Sequence, residues 1–164
     1  MLKNVFIAAI SLVFLGINAG CAVQKTSLNV SMVVFTVDSG PVLPEMQTHE
    51  VFTITRQGVQ LERTGKTENT EIHEGNWTFE ADETLLSAVF AAAESQNCEA
   101  FTRVEPEEPP DGAGTTTLTL VYSDGTQCEL FYDAGVNYEG AEELLLNVKE
   151  LLNNLSTPPS SQIK

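Results

Sequence analysis

The stretch VFTITRQGVQLER, residues 51–63, decides the fold. Apolar and polar residues alternate on each side of Gln57-Gly58, which we place at the tip of a β-hairpin. With a two-residue loop, four apolar side chains share one face of this hairpin: Phe52, Ile54, Val59 and Leu61. The opposite face is polar. One apolar and one wet face predict an antiparallel sheet that packs on one side only.

A second hairpin is predicted around Asp124-Gly125, a strong turn signal. A two-residue loop there sets Val121 opposite Cys128 and Thr119 opposite Leu130. The reverse face then carries four large apolar side chains: Leu118, Leu120, Tyr122 and Phe131. We expect the apolar segment 28–37 to cover this patch, which otherwise would be a partner or ligand site.

Two helices are predicted from apolar residues at helical spacing. Asp82 is a good N-cap for the first helix, and Ala141 to Leu155 carries the second. The order of strands, helix, hairpin and helix predicts an α+β fold, an antiparallel sheet of two or more hairpins with two helices packed on one face. We expect a single α+β domain over residues 28–156 and a disordered tail over 157–164.

The charge of the chain excludes some partners. The 164 residues include 8 Lys+Arg against 23 Asp+Glu, for a formal net charge of -15. The length is that of one domain. Because nucleic-acid-binding proteins neutralise phosphates with basic side chains, nucleic acid is not an expected partner.

The N-terminus has the pattern of a secretory signal. Lys3 precedes an apolar run from Val5 to Ile17, which is too short to span a bilayer comfortably. The following Asn18-Ala19-Gly20-Cys21 resembles the lipobox of bacterial lipoproteins. The resemblance implies a signal peptide of residues 1–20, cleavage before Cys21 and lipidation of Cys21. Residues 21–27 are then a lipidated tether.

The same resemblance gives a location. In Gram-negative lipoproteins the residue after the lipidated cysteine helps to decide the membrane, and Ala22 is not the Asp associated with inner-membrane retention. The class rule thus implies a membrane anchor at the outer membrane of the cell envelope, with the domain facing the periplasm. The alternative is ordinary secretion after cleavage near Ala19.

Two cysteines remain when Cys21 carries lipid. In an exported domain, an even pair such as Cys98 and Cys128 is most simply a disulfide. A redox or metal role is less favoured, because neither residue belongs to a Cys-x-x-Cys pair.

No catalytic or metal motif is evident in the sequence. His49 and His73 are expected to be exposed, and adjacent His73 and Glu74 point to opposite faces if they lie in a strand. Residues 99–114 are predicted to be an irregular, solvated loop. Its acidic part, Glu105 to Asp111, could collect Ca²⁺ but lacks the ligand order of an EF-hand. The sequence thus selects no catalytic residue, metal ligand or cofactor, and it favours a non-enzyme.

The function expected from these patterns is that of a membrane-anchored envelope lipoprotein that binds another protein. The order of hairpin, helix, hairpin and helix also resembles that of emfourin-type protease-inhibitor domains, over roughly residues 50–155 and in element order only. Their Gly-Gly-rich motif after the first strand is replaced by Arg56-Gln57-Gly58-Val59, so no functional residue carries over. The alternatives are a periplasmic small-molecule or lipid binder, or a protease inhibitor.

Overall fold

The computed structural model describes residues 29–108 and 110–161. The six strands of the main sheet are β1 (Val30–Asp38), β2 (Thr48–Thr55), β3 (Gly58–Gly65), β4 (Gly75–Phe79), β6 (Thr115–Tyr122) and β7 (Gln127–Tyr132). The remaining elements are β5 (Thr102–Val104), β8 (Asn137–Glu139), α1 (Glu83–Glu94), α2 (Glu142–Asn153) and two 3-10 turns, Pro44–Met46 and Cys98–Ala100.

The main sheet is antiparallel, with strand order β4-β3-β2-β1-β6-β7. Strands β5 and β8 form a separate two-stranded ribbon, also antiparallel. With the two helices, this arrangement confirms the predicted α+β fold. The signal peptide expected at 1–20 and the tether expected at 21–27 lie outside the described residues.

The helices form where capping and spacing predict them. The side chain of Asp82 accepts hydrogen bonds from the backbone N–H groups of Thr84 and Leu85, at 2.8 and 3.2 Å, so α1 begins with a satisfied N-cap. Helix α2 packs beside α1, and the Asn147 side chain donates to the carbonyl of Ala88 at 3.3 Å. The helices contribute one apolar side each to the core: Leu86, Val89, Phe90, Ala92, Ala93, Leu144, Val148 and Leu151.

One face of the sheet supplies the rest of the core. The buried strand residues alternate with exposed or half-buried ones, as expected for a sheet covered on one side. They are Val30, Val33, Phe35, Phe52, Ile54, Val59, Leu61, Leu118, Leu120, Tyr122, Cys128, Leu130 and Tyr132.

The first hairpin confirms the predicted faces. Ile54 lies opposite Val59 and Phe52 opposite Leu61, and all four side chains point into the core. The two-residue loop is Arg56-Gln57, one position earlier than predicted. A shift of the whole two-residue loop by one position moves the pairing by two residues, so each side chain stays on its predicted face.

The second hairpin corrects the predicted register. The backbone N–H of Tyr122 donates to the carbonyl of Thr126 at 2.9 Å, which leaves three residues, 123–125, in the loop. Gly125, the last of them, adopts φ +86°. Leu120 therefore lies opposite Cys128, and Val121 lies opposite Gln127. One extra loop residue reverses the faces of one strand relative to the other.

The prediction of an apolar patch on the second hairpin is consequently wrong. Leu118, Leu120 and Tyr122 point into the core, whereas Phe131 points to the opposite face, where it is 39% exposed. The segment 28–37 does not cover a patch either. It contributes β1, which pairs edge to edge with β6 in the same sheet and places Phe35 opposite Leu118.

The prediction that the tail is disordered is wrong for residues 157–161. The carbonyl of Ser160 accepts a hydrogen bond from the His73 backbone at 2.9 Å, and Ser161 forms a β-bridge with Ile72. Residues 162–164 lie outside the described part of the chain. The expected irregular loop 99–114 is also partly regular, since it contains β5 and the last two residues of the 3-10 turn Cys98–Ala100.

Candidate protein-binding surface

The face of the main sheet turned away from the helices has no covering layer among the described residues. We call it the outer face. Its central positions are half-buried by their neighbours in the sheet: Met32, Val34, Thr36, Val51, Thr53, Thr117, Thr119 and Val121. Phe131 is an exposed residue of the same face.

Strand register arranges these residues in rows that are uncharged across β2, β1 and β6. Thr36 lies between Val51 on β2 and Thr117 on β6, and Thr117 in turn lies opposite Phe131 on β7. The next row sets Val34 between Thr53 and Thr119. β-branched side chains suit such a pleated, half-buried surface. The rows present methyl groups and hydroxyls together, a mixture that suits contact with another protein surface.

Charges on the outer face flank these rows, with Glu62 on β3 opposite Val51 and Glu129 on β7 opposite Thr119. At one margin, Asp38 pairs with Lys66 at 2.7 Å and with His49 at 3.1 Å. Burial of the Asp38 carboxylate opposes its ionisation, but the hydrogen bonds and charges of Lys66 and His49 together lower its pKa below the ordinary value. The Lys66 ammonium thus neutralises the Asp38 carboxylate within this cluster.

One edge of the sheet is partly blocked by the β5–β8 ribbon. Strand β7 is an edge strand, whose outward backbone groups lack a neighbouring strand. The Tyr138 hydroxyl accepts from the Phe131 N–H at 3.2 Å, and Arg103 donates to the Phe131 carbonyl at 2.6 Å. Arg103 also donates to Glu105 at 2.5 Å. These contacts occupy the backbone of β7 at Phe131, so the face is more available than this edge.

No known protein family, curated protein or solved structure matches this chain. What the surface offers to a partner therefore follows from its own residues.

The two cysteines singled out by the sequence lie together. Cys98 follows α1 and Cys128 lies on the core face of β7, with Cα atoms 5.6 Å apart and the sulfur atoms at disulfide distance. The bond joins the helical layer to the sheet. Cys21, the expected lipidation site, lies outside the described residues.

His73 and Glu74, which are neighbours in the sequence, have different partners. His73 is exposed and contacts the edge of the Trp77 ring, with centroids 5.4 Å apart. Glu74 instead accepts a hydrogen bond from the Gly65 backbone at 2.8 Å. Across residues 29–108 and 110–161, no group of three or more His, Cys, Asp or Glu side chains is placed to hold a metal ion.

Two pockets of the described chain are small and lie at its surface. One of about 250 Å³ lies between Arg56 and Phe90, whose ring lies 4.3 Å below the Arg56 guanidinium. Another of about 200 Å³ lies on the outer face and is lined in part by Thr53 and Gln60. Neither reaches the space between sheet and helices, which apolar side chains occupy. None of the helices in the described residues has the length and apolar content needed to cross a bilayer.

Proposed function

We propose that this protein is a non-enzymatic, lipid-anchored lipoprotein of the cell envelope whose outer face binds another protein. The observation that supports the proposal is the asymmetry of the main sheet. One face is fully used by the core, while the other presents rows of Thr and Val across β2, β1 and β6, flanked by Glu62 and Glu129 and with Phe131 at the end of one row. Interfaces combine apolar area with hydrogen-bonding groups in this way.

A protein partner fits this surface better than a small molecule or a lipid. Ligand sites enclose most of their ligand in a cavity of about 300–1,000 Å³. The pocket on the outer face is about 200 Å³, and the interior between sheet and helices is closed by Phe90, Leu144 and Leu151. A broad, shallow surface suits a partner of similar shape.

Lipidation at Cys21 supplies the membrane attachment in this proposal. The described residues carry 23 carboxylates and five basic side chains, so the domain is repelled by anionic headgroups. We therefore propose that it stands off the periplasmic surface of the outer membrane. Substitution of Cys21 by Ala is expected to move the protein from the membrane fraction to the soluble one. Unchanged membrane partition of that variant contradicts the anchor.

The binding surface is tested by crosslinking a tagged full-length protein in its native envelope. Thr119→Lys places a long positive side chain on the outer face, opposite Glu129, and is expected to abolish the crosslinked partner. Ser87→Lys, on the exposed side of α1, is the matched control and is expected to retain it. Circular dichroism and thermal melts establish that both variants fold. If folded Thr119→Lys captures the partner as well as the control does, the outer face is not the binding surface.

A further inference from the structure

The loop between β1 and β2 exposes the sequence Pro-Val-Leu-Pro-Glu-Met, residues 41–46, which we call the distal loop. Its three large apolar side chains are among the most exposed in the described chain: Val42 at 46%, Leu43 at 62% and Met46 at 41%. Single exposed apolar residues are common, but three within one five-residue stretch form a patch.

The backbone of the distal loop is held in place. Within it, Met46 donates to the Leu43 carbonyl at 2.8 Å, and Gln47 donates to the Pro44 carbonyl at 3.2 Å. From outside, the Glu45 carbonyl accepts from the Glu71 N–H at 2.8 Å and from the Thr70 hydroxyl at 3.2 Å. Because Pro41 and Pro44 also fix their φ angles, little backbone conformational entropy remains to be lost on binding.

Carboxylates surround the distal loop on both sides. On one side lie Glu45 and the segment 66–71 hydrogen-bonded to it, which carries Glu68 and Glu71. On the other side, Gly40 packs so closely on residues 112–114 that a Cβ there would lie 2.8 Å from the Gly114 nitrogen. That contact places Asp111, the chain neighbour of Gly112, on this side of the loop.

Two basic side chains near this end are already paired, whereas Lys149 lines a surface pocket together with Gly114. Lys66 pairs with Asp38 at 2.7 Å, and Arg103 pairs with Glu105 at 2.5 Å. The apolar side chains of the distal loop are therefore surrounded by more carboxylates than unpaired basic groups.

We propose that the distal loop is the anchor of the interface, inserting Leu43 and Met46 into an apolar pocket of a partner protein that is rimmed by Lys and Arg. This inference rests on the proposed protein-binding function and names the partner's chemistry. Preorganised apolar side chains centred in a charged rim are typical of binding hot spots, and the acidic surround selects a basic rim on the partner.

Neither a membrane nor a second copy of the chain suits the distal loop as well. A second copy brings the same carboxylates face to face, and an anionic membrane repels them. The loop also lies at the end of β1 remote from Val30, about 26 Å along the strand. With lipid on Cys21, the nine residues to Val30 reach at most about 30 Å, so contact with the same membrane while β1 stands perpendicular to it needs an almost fully extended tether.

The test uses a photoreactive amino acid in the full-length protein in its native envelope. At position 43 it is expected to give one discrete protein adduct, whose crosslinked peptide maps to an apolar surface bordered by Lys or Arg. Leu146 on α2, which is 63% exposed, is the matched control position and is expected to give no such adduct. Met46→Ser should reduce the adduct at position 43 about 10-fold or more. Ionic strength of about 1 M, where the Debye length is about 3 Å, should also weaken it.

Every other outcome overturns the inference. An adduct with phospholipid assigns the loop to a membrane, and a crosslinked dimer of this chain assigns it to self-association. A crosslinked partner peptide without Lys or Arg contradicts the basic rim. Equal adducts at positions 43 and 146 contradict a specific contact at the distal loop. If a photoreactive group at Thr119 captures a partner while position 43 does not, the proposed function stands and the distal-loop anchor fails.

Discussion

The buried guanidinium of Arg63 donates a hydrogen bond to the carbonyl of Pro158 at 3.1 Å. The same nitrogen donates to the Pro159 carbonyl at 3.0 Å, and Nε pairs with Glu50. Arg63 is only 3% exposed and also lies over the Trp77 ring. One side chain thus joins β2, β3 and the C-terminal segment.

Replacing Arg63 by Leu is expected to lower the free energy of unfolding by about 3–5 kcal/mol, because it leaves Glu50 without its partner in a mostly buried position. Denaturant unfolding measures the loss. Faster hydrogen exchange at the His73 amide, which donates to Ser160, should accompany it. The control is Arg56→Leu, which breaks the more exposed pair with Glu94 and should cost about 1 kcal/mol or less. Equal losses in the two variants contradict a clamping role for Arg63.

The Cys98–Cys128 bond is expected to stabilise the domain by about 3–4 kcal/mol, from the loop of about thirty residues that it closes. Replacing both cysteines by Ala should remove that contribution, as read from unfolding free energies extrapolated to zero denaturant, and should steepen the slope because the unlinked unfolded chain exposes more surface. Mass spectrometry of the protein from its envelope, without reduction, should find the two residues in one linked peptide pair. Two free thiols in that sample would contradict the bond.

The register of the second hairpin predicts opposite results for two adjacent residues. Leu130 is 2% exposed and points into the core, so Leu130→Ala should cost about 2–5 kcal/mol of stability. Phe131 lies on the outer face beside Thr117, and Phe131→Ala should cost about 1 kcal/mol. Denaturant melts of both variants decide the register. A larger loss of stability for Phe131→Ala than for Leu130→Ala would support the two-residue loop instead.

The hairpins also illustrate what the sequence could predict. Alternation alone identifies each strand and its two faces, and it placed Phe52, Ile54, Val59 and Leu61 correctly although the loop was shifted by one residue. It cannot distinguish a two-residue from a three-residue loop at Ser123-Asp124-Gly125, where both faces of the flanking strands contain apolar residues. There the choice depends on which face meets the helices, a tertiary contact.

Other features depend on contacts between distant residues. The C-terminal segment is rich in Pro and Ser, which favours disorder, and nothing local indicates that Arg63, some 95 positions earlier, donates to Pro158. In the sequence, the distal loop is recognisable only as an irregular stretch that contains proline. Its rigidity comes from Thr70 and Glu71 on another loop. Helix caps such as Asp82 are local and were predicted accordingly.

Tyr132 is expected to make stability depend on alkaline pH. Burial of its ring, followed by the effects of Tyr138 and Glu142, raises the pKa of Tyr132 to about 12, whereas the unfolded chain has the ordinary value of about 10. Between these pH values the unfolded state has released a proton that the folded state still holds. The contribution is therefore complete below about pH 10 and is lost as the pH rises to about 12.

The variant Tyr132→Phe isolates this effect. Within residues 29–108 and 110–161, the buried Tyr132 hydroxyl has no hydrogen-bond partner, so its removal should leave the protein at neutral pH as stable as before or about 1 kcal/mol more stable. The loss of stability between about pH 10 and 12 should become shallower in the variant, although Tyr122, whose pKa burial also raises, keeps part of it. Unfolding free energies measured across this range, with tyrosinate absorbance to follow ionisation, test both expectations. Parallel pH profiles for the two proteins would mean that Tyr132 ionises as readily in the folded chain as in the unfolded one.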